Sequence, residues 1–126
     1  MHKSRLGGLI IDCQTDDLDE AERFWTRALG YDSEKSPDPA DEGYVHLKTA
    51  PDEPNIELQK VNHPSRVHLD IEADDIEAEV ARLEKLGAKK VEKVRTWWIM
   101  EAPTGHRFCV VKAGRPDFEE RANKWD

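Results

Sequence analysis

Cysteine is scarce, one sign of charge is in short supply, and no apolar run is long. The two cysteines, Cys13 and Cys109, stand far apart and fit no metal-finger spacing, so neither a disulfide framework nor a zinc finger is indicated. Basic residues number 19 against 27 acidic ones, a formal net charge of −8 without a basic stripe. Such a surface argues against nucleic acid and anionic membranes as partners. No apolar stretch reaches the length that crosses a bilayer, and Met1 to Gly8 lacks an apolar segment of signal-peptide length. The expectation is a soluble, cytoplasmic protein in a reducing setting. There is also no Gly-rich phosphate loop and no serine-hydrolase motif.

What is present is a chain of 126 residues, enough for one domain or for two very small modules sharing a core. Charged residues make up 37%, yet the apolar residues fall in short periodic runs, so the charge reads as solvated faces around a folded core rather than as disorder. Leu9, Ile10 and Ile11, running into Asp12 and Cys13, predict a strand. Asp16 and Asp17 suit a helix N-terminus, Leu18, Ala21, Phe24 or Trp25, Ala28 and Leu29 form a helical stripe, and Gly30 ends it. Asp32 to Gly43 reads as a loop, Tyr44 to Lys48 and Asn55 to Val61 as strands.

The pattern then restarts. Val67 to Ile71 alternates as a strand, Asp74 and Asp75 precede a helix whose apolar face is Ile76, Val80, Leu83 and Leu86, and Gly87 stops it. Lys89 to Val94, Trp97 to Met100 and Arg107 to Val111 predict strands, with a turn at Pro103-Thr104-Gly105, and Asp117 to Trp125 predicts a short tail helix. Asp12 and Asp70 are 58 residues apart, Asp17 and Asp75 are also 58 apart, and Gly30 and Gly87 are 57 apart. A constant offset over three landmarks marks an internal repeat.

Strand alternation assigns faces. Leu9, Ile11, Cys13, Ile56, Leu58, Val67, Leu69, Ile71, Phe108 and Val110 are expected to face the helices. Ile10, Asp12, Glu57, Gln59, His68, Asp70 and Cys109 then share the other side, which is either a small-molecule surface or the solvated face of a one-sided sheet. Tyr44 and His46 share one face of their strand, and of the adjacent Trp97 and Trp98 one faces the core.

Asp17-Leu18-Asp19-Glu20-Ala21-Glu22-Arg23-Phe24-Trp25 with Leu29-Gly30-Tyr31, the run Val67 to Ile71 with Leu83 to Ala88, and the ending Ala102-Pro103-Thr104-Gly105-His106-Arg107-Phe108-Cys109-Val110-Val111 together resemble the glyoxalase, bleomycin-resistance and vicinal oxygen chelate superfamily over roughly residues 9 to 112. The resemblance implies an α+β fold of two βαβββ modules whose curved mixed sheet forms a cup. It implies a single domain over 1–126, with module 1 at about 6–62, module 2 at about 65–113, and a tail at 114–126. It also implies a small-molecule ligand and a homodimer. The superfamily's four metal-ligand positions fall at Ile10, Glu57, His68 and Cys109. Ile10 cannot ligate and Cys109 replaces a carboxylate, so the expectation is no metal cofactor, or an ion held only by Glu57 and His68.

Three functional readings stay open. One is a metal-independent lyase or isomerase with His68 and Glu57 as an acid–base pair, and with Gln59, Asp70, His46, Trp98 and Cys109 lining the ligand. Another is drug or metabolite sequestration of the bleomycin-resistance type, without catalysis. The third is a divalent-metal lyase or dioxygenase.

Overall fold

The computed structural model describes residues 1–126 and resolves two compact units, Leu9–Val67 and a second made of Met1–Gly8 with His68–Asp126. Strand β1 (His2–Gln14) contributes its second half to the former and its first half to the latter.

The unit Leu9–Val67 continues from β1 through helix α1 (Leu18–Leu29), strand β2 (Ser33–Glu34), a 3-10 turn (Pro39–Asp41), β3 (Tyr44–Leu47) and β4 (Asn55–Val61), a βαβββ order. Its strands lie in the order β2-β3-β4-β1. The helix starts where Asp17, in extended backbone, accepts hydrogen bonds from the N–H groups of Asp19 and Glu20. It ends at Gly30, whose φ of 77° is left-handed and favours glycine. Leu18, Ala21 and Trp25 pack on Ile11, Cys13, Val45, Leu47, Ile56 and Leu58, so the helix stripe and alternate strand residues close one apolar core. Trp25 is the aromatic that packs. Phe24 is 61% exposed and meets the Trp25 ring edge-on, centroids 5.0 Å apart. The Asp32–Gly43 segment is less of a loop than its prolines imply, because Ser33 and Glu34 pair with Leu47 and His46.

The other unit holds β5 (Arg66–Ala73) from His68 onward, α2 (Ile76–Lys85), β6 (Lys89–Val94), β7 (Trp97–Glu101) and β8 (Arg107–Lys112), again βαβββ, followed by α3 (Phe118–Arg121) and β9 (Asn123–Trp125). Strands β5, β8, β7 and β6 lie in that order. The first pair is parallel and the others antiparallel, so the sheet is mixed. Asp75 caps α2 by accepting from Ala78 N–H, as Asp17 caps α1. Ala73, Val80, Leu83, Ala88, Met100 and Val110 form the core beneath α2, with Ile71, Ile76, Trp98 and Phe108 against it. Of Val67, Leu69 and Ile71, expected to face the helix, only Ile71 packs there. Ile71 and Ala73 pack under α2, whereas Leu69 is 46% and Val67 59% exposed.

Two termini differ from expectation. The first strand begins at His2 rather than Leu9. The tail helix is a single turn, after which Asn123–Trp125 pairs antiparallel with Ser4–His2. Glu79, fully buried on α2, explains the first of these. It accepts hydrogen bonds from His2 Nε2 (2.8 Å), Ser4 Oγ (2.7 Å), Arg82 Nε (2.8 Å) and Arg82 Nη2 (2.8 Å). Trp125 closes the arrangement by donating Nε1–H to Ser4 Oγ at 2.8 Å and stacking under the Arg82 guanidinium at 3.8 Å. No helix is long and apolar enough to cross a membrane.

Candidate functional site

Each unit carries a polar constellation on the strand face turned away from its helix. In the unit Leu9–Val67 the β3/β4 register decides it. Tyr44 stands opposite Gln59 and His46 opposite Glu57, while the alternate residues Val45, Leu47, Ile56 and Leu58 enter the core under α1. Gln59 Nε2 donates to Tyr44 Oη at 3.0 Å. His46 Nδ1 lies 3.8 Å from Glu57 Oε1, with the two side chains 38% and 37% exposed. The spacing is just beyond a hydrogen bond and leaves both groups accessible to a ligand. Gln59 also borders an open cleft of about 890 Å³ shared with Gln14, Thr15, Asp16, Asn62 and His63. On the first strand Ile10 and Asp12 are buried at 4% and 2% exposure, and Asp12 Oδ2 is 3.8 Å from Arg66 Nε.

In the other unit His68 and Asp70, two apart on β5, share one face, and the parallel register sets Cys109 of β8 beside Asp70. One donor atom from each of the three lies within 4.8 Å of the others. His68 Nε2 is 3.4 Å from Asp70 Oδ1, and Asp70 Oδ1 is buried and receives no hydrogen bond. Cys109 is only 9% exposed, and Ile99 of β7 stands opposite it. Glu72, next along the same face of β5, is already engaged. Arg115 Nε lies 2.9 Å from its Oε2 and Arg5 Nη2 3.5 Å from its Oε1, while Arg5 also donates to Asp117 Oδ1 at 2.7 Å. That hydrogen bond holds Asp117 below its ordinary carboxylate range.

Glu57 has His46 opposite it within its own unit, and His68 has Asp70 within its own. Trp98 does not join the face of His68 and Cys109. It pairs with Val110, packs on the α2 core, and its Nε1 donates to Glu77 Oε1 of α2 at 3.1 Å. That hydrogen bond is the main reason Glu77 sits below its usual range. Sequence alternation alone cannot separate Trp97 from Trp98, because Trp97 to Met100 is apolar at every position. The pairing of Ile99 with Cys109 and of Met100 with Phe108 settles it. The ligand positions implied by the superfamily do not make a complete set here, since Ile10 offers no donor atom. His68, Asp70 and Cys109 do offer a nitrogen, an oxygen and a sulfur donor together.

No curated protein matches the chain. Methylmalonyl-CoA epimerase from Mycobacterium tuberculosis is similar in structure, with a TM-score of 0.65 at 17% identity over 86% of this chain and 87% of that one. A glyoxalase/bleomycin resistance protein/dioxygenase superfamily member from Vibrio splendidus 12B01 gives 0.55 at 18% identity, covering 87% and 99%. An extradiol ring-cleaving dioxygenase from B. fuscum gives 0.58 at 16% identity, over 86% of this chain and 32% of that one. At these identities the likeness concerns the α+β fold. The sequence profile of the glyoxalase-like domain matches residues 8–111, and the chain belongs to that family, within the superfamily its motifs resemble.

Proposed function

We propose that this glyoxalase-like protein binds a small organic molecule bearing a carbon acid next to a carbonyl and moves a proton on it, an isomerase or lyase activity. Glu57 acts as the base and His46 as its proton-exchanging partner. The observation that carries this reading is the cross-strand pair itself, with His46 Nδ1 3.8 Å from Glu57 Oε1 on an accessible polar face beside the Tyr44–Gln59 hydrogen bond. A carboxylate takes the proton from carbon, and a histidine, whose two ring nitrogens can accept and donate, relays it. A separation slightly longer than a hydrogen bond is the usual state of such a pair before a ligand tightens it. Returning the proton to the same or the neighbouring carbon completes an isomerisation without any net redox change. The reading keeps Glu57 from the pair expected from sequence and gives the histidine's part to the one that the β3/β4 register sets opposite it.

The epimerase among the structural neighbours supplies the first probe. Wild-type protein is incubated in D2O with methylmalonyl-CoA and a small panel of 2-substituted ketones and thioesters, and α-deuteration is followed by NMR. Exchange above the uncatalysed rate, lost in Glu57→Gln, supports the reading. Saturable binding without exchange for every ligand found would replace it with sequestration.

A further inference from the structure

Beyond that reading, and on different residues, we infer that His68, Asp70 and Cys109 form a binding site for a thiophilic divalent ion of the zinc type, contained within one βαβββ module. The positions implied by the superfamily resemblance draw on both modules and fail at Ile10. Asp70 is not among them, and it supplies the third ligand. Its place follows from the backbone: a two-residue step on β5 puts His68 and Asp70 on one face, and the β5/β8 register brings Cys109 alongside.

Three features of the cluster fit an ion. First, Asp70 Oδ1 is buried, receives no hydrogen bond, and yet sits 3.4 Å from His68 Nε2. A buried carboxylate oxygen left in this way calls for a positive partner. Metal–nitrogen and metal–oxygen bonds of about 2.0–2.2 Å at a tetrahedral angle place those two atoms roughly 3.3–3.5 Å apart, which the observed spacing meets. Second, a zinc–sulfur bond of about 2.3 Å requires the sulfur roughly 3.6 Å from the other donors. The donors lie within 4.8 Å of one another, so side-chain adjustments of about 1 Å bring the set to bonding distances. Third, Cys109 is buried beside Ile99, an apolar wall that lowers the local dielectric and strengthens each bond to the ion.

One sulfur, one imidazole and one carboxylate select zinc or cobalt over magnesium or calcium, which take oxygen ligands. Three protein ligands leave a fourth position open for water or a ligand atom. Glu72 does not fill it, because Arg5 and Arg115 hold its two oxygens. Binding converts the Cys109 thiol to a thiolate, and the displaced proton leaves to solvent.

The test uses the full chain, dialysed against a chelator and titrated with Co2+ and then Zn2+. The expected result is one equivalent of Co2+ bound, with a thiolate-to-cobalt charge-transfer band that Zn2+ abolishes. Cys109→Ser removes the band and Cys13→Ser keeps it. Asp70→Asn weakens Co2+ binding by at least the roughly 10-fold that loss of a ligand's supporting partner costs, and Glu57→Gln leaves it within about threefold. Independently of any variant, Zn2+ protects Cys109 of the wild type from alkylation, read by peptide mass spectrometry. A wild-type protein without the charge-transfer band, a band that survives Cys109→Ser, or a Glu57→Gln effect as large as that of Asp70→Asn overturns the site. None of these readouts depends on turnover, so the site and the proton-transfer reading stand or fall separately.

Discussion

Replacing Glu79 by glutamine tests how the N-terminal half of β1 is held. The carboxylate is fully buried and accepts from His2, Ser4 and both donating nitrogens of Arg82. Glutamine keeps the volume but puts an NH2 group, which can only donate, against groups that also donate. Removing one partner of a buried ion pair costs about 3–5 kcal/mol. The Arg82 side chain is 25% exposed and rehydrates in part, which favours the lower end, about 3 kcal/mol. For a chain of this size each kcal/mol moves the midpoint by roughly 3–6 °C, so Glu79→Gln lowers Tm by about 10–15 °C. The charge also sets a pH dependence. Burial by itself pushes the Glu79 carboxyl up, but hydrogen bonds from Arg82, His2 and Ser4 outweigh it and hold the group below its ordinary value of 4.5. A depressed folded-state value means that the stabilisation is complete above about pH 4.5 and is lost as pH falls through the folded value. Urea unfolding of wild type and Glu79→Gln from pH 3 to pH 7 should therefore show a gap that is widest near neutrality and narrows in acid. A loss below about 1 kcal/mol at pH 7, or a gap that widens in acid, would refute the network's role.

Other outcomes follow from the same contacts. Trp125→Ala removes the hydrogen bond to Ser4 and the stack on Arg82, and should cost about 1–3 kcal/mol in denaturant melts. Gly7→Ala sets a Cβ 2.9 Å from Cβ of Glu72, whose side chain Arg5 and Arg115 hold in place, so a loss of about 1–3 kcal/mol is expected. Trp98→Phe should lower stability by about 0.5–1.5 kcal/mol through the lost bond to Glu77, while leaving ligand exchange unchanged, because the ring lies on the α2 side. An exchange rate that falls with Trp98→Phe would contradict that placement.

The elements with clear periodicity were legible in the sequence. Asn55–Val61 and Lys89–Val94 form strands with the bounds their residues predict, and the repeated Asp caps at Asp17 and Asp75 begin both helices. What was not legible depends on distant partners. His2 to Gly8 carries no apolar alternation, and its strand exists because His2 and Ser4 satisfy Glu79, more than seventy residues away. Asn123–Trp125 looks helical locally, but the acid-rich run supports one turn before backbone pairing with β1 takes over. Leu69 and Val67 have strand alternation, yet α2 reaches only Ile71 and Ala73. At the site, alternation alone put Glu57, Gln59, His68, Asp70 and Cys109 away from the helices. It could not show that His46 stands opposite Glu57 or that Cys109 stands beside Asp70, because those are facts of register.

The most direct test of the proposed activity is the rate of α-proton exchange in D2O for wild type, Glu57→Gln and His46→Gln with one bound substrate. The expected result is a loss of two or more orders of magnitude in Glu57→Gln, within the range a positioned acid–base group supplies, and a smaller loss in His46→Gln. Wild-type exchange that persists undiminished in Glu57→Gln would contradict it.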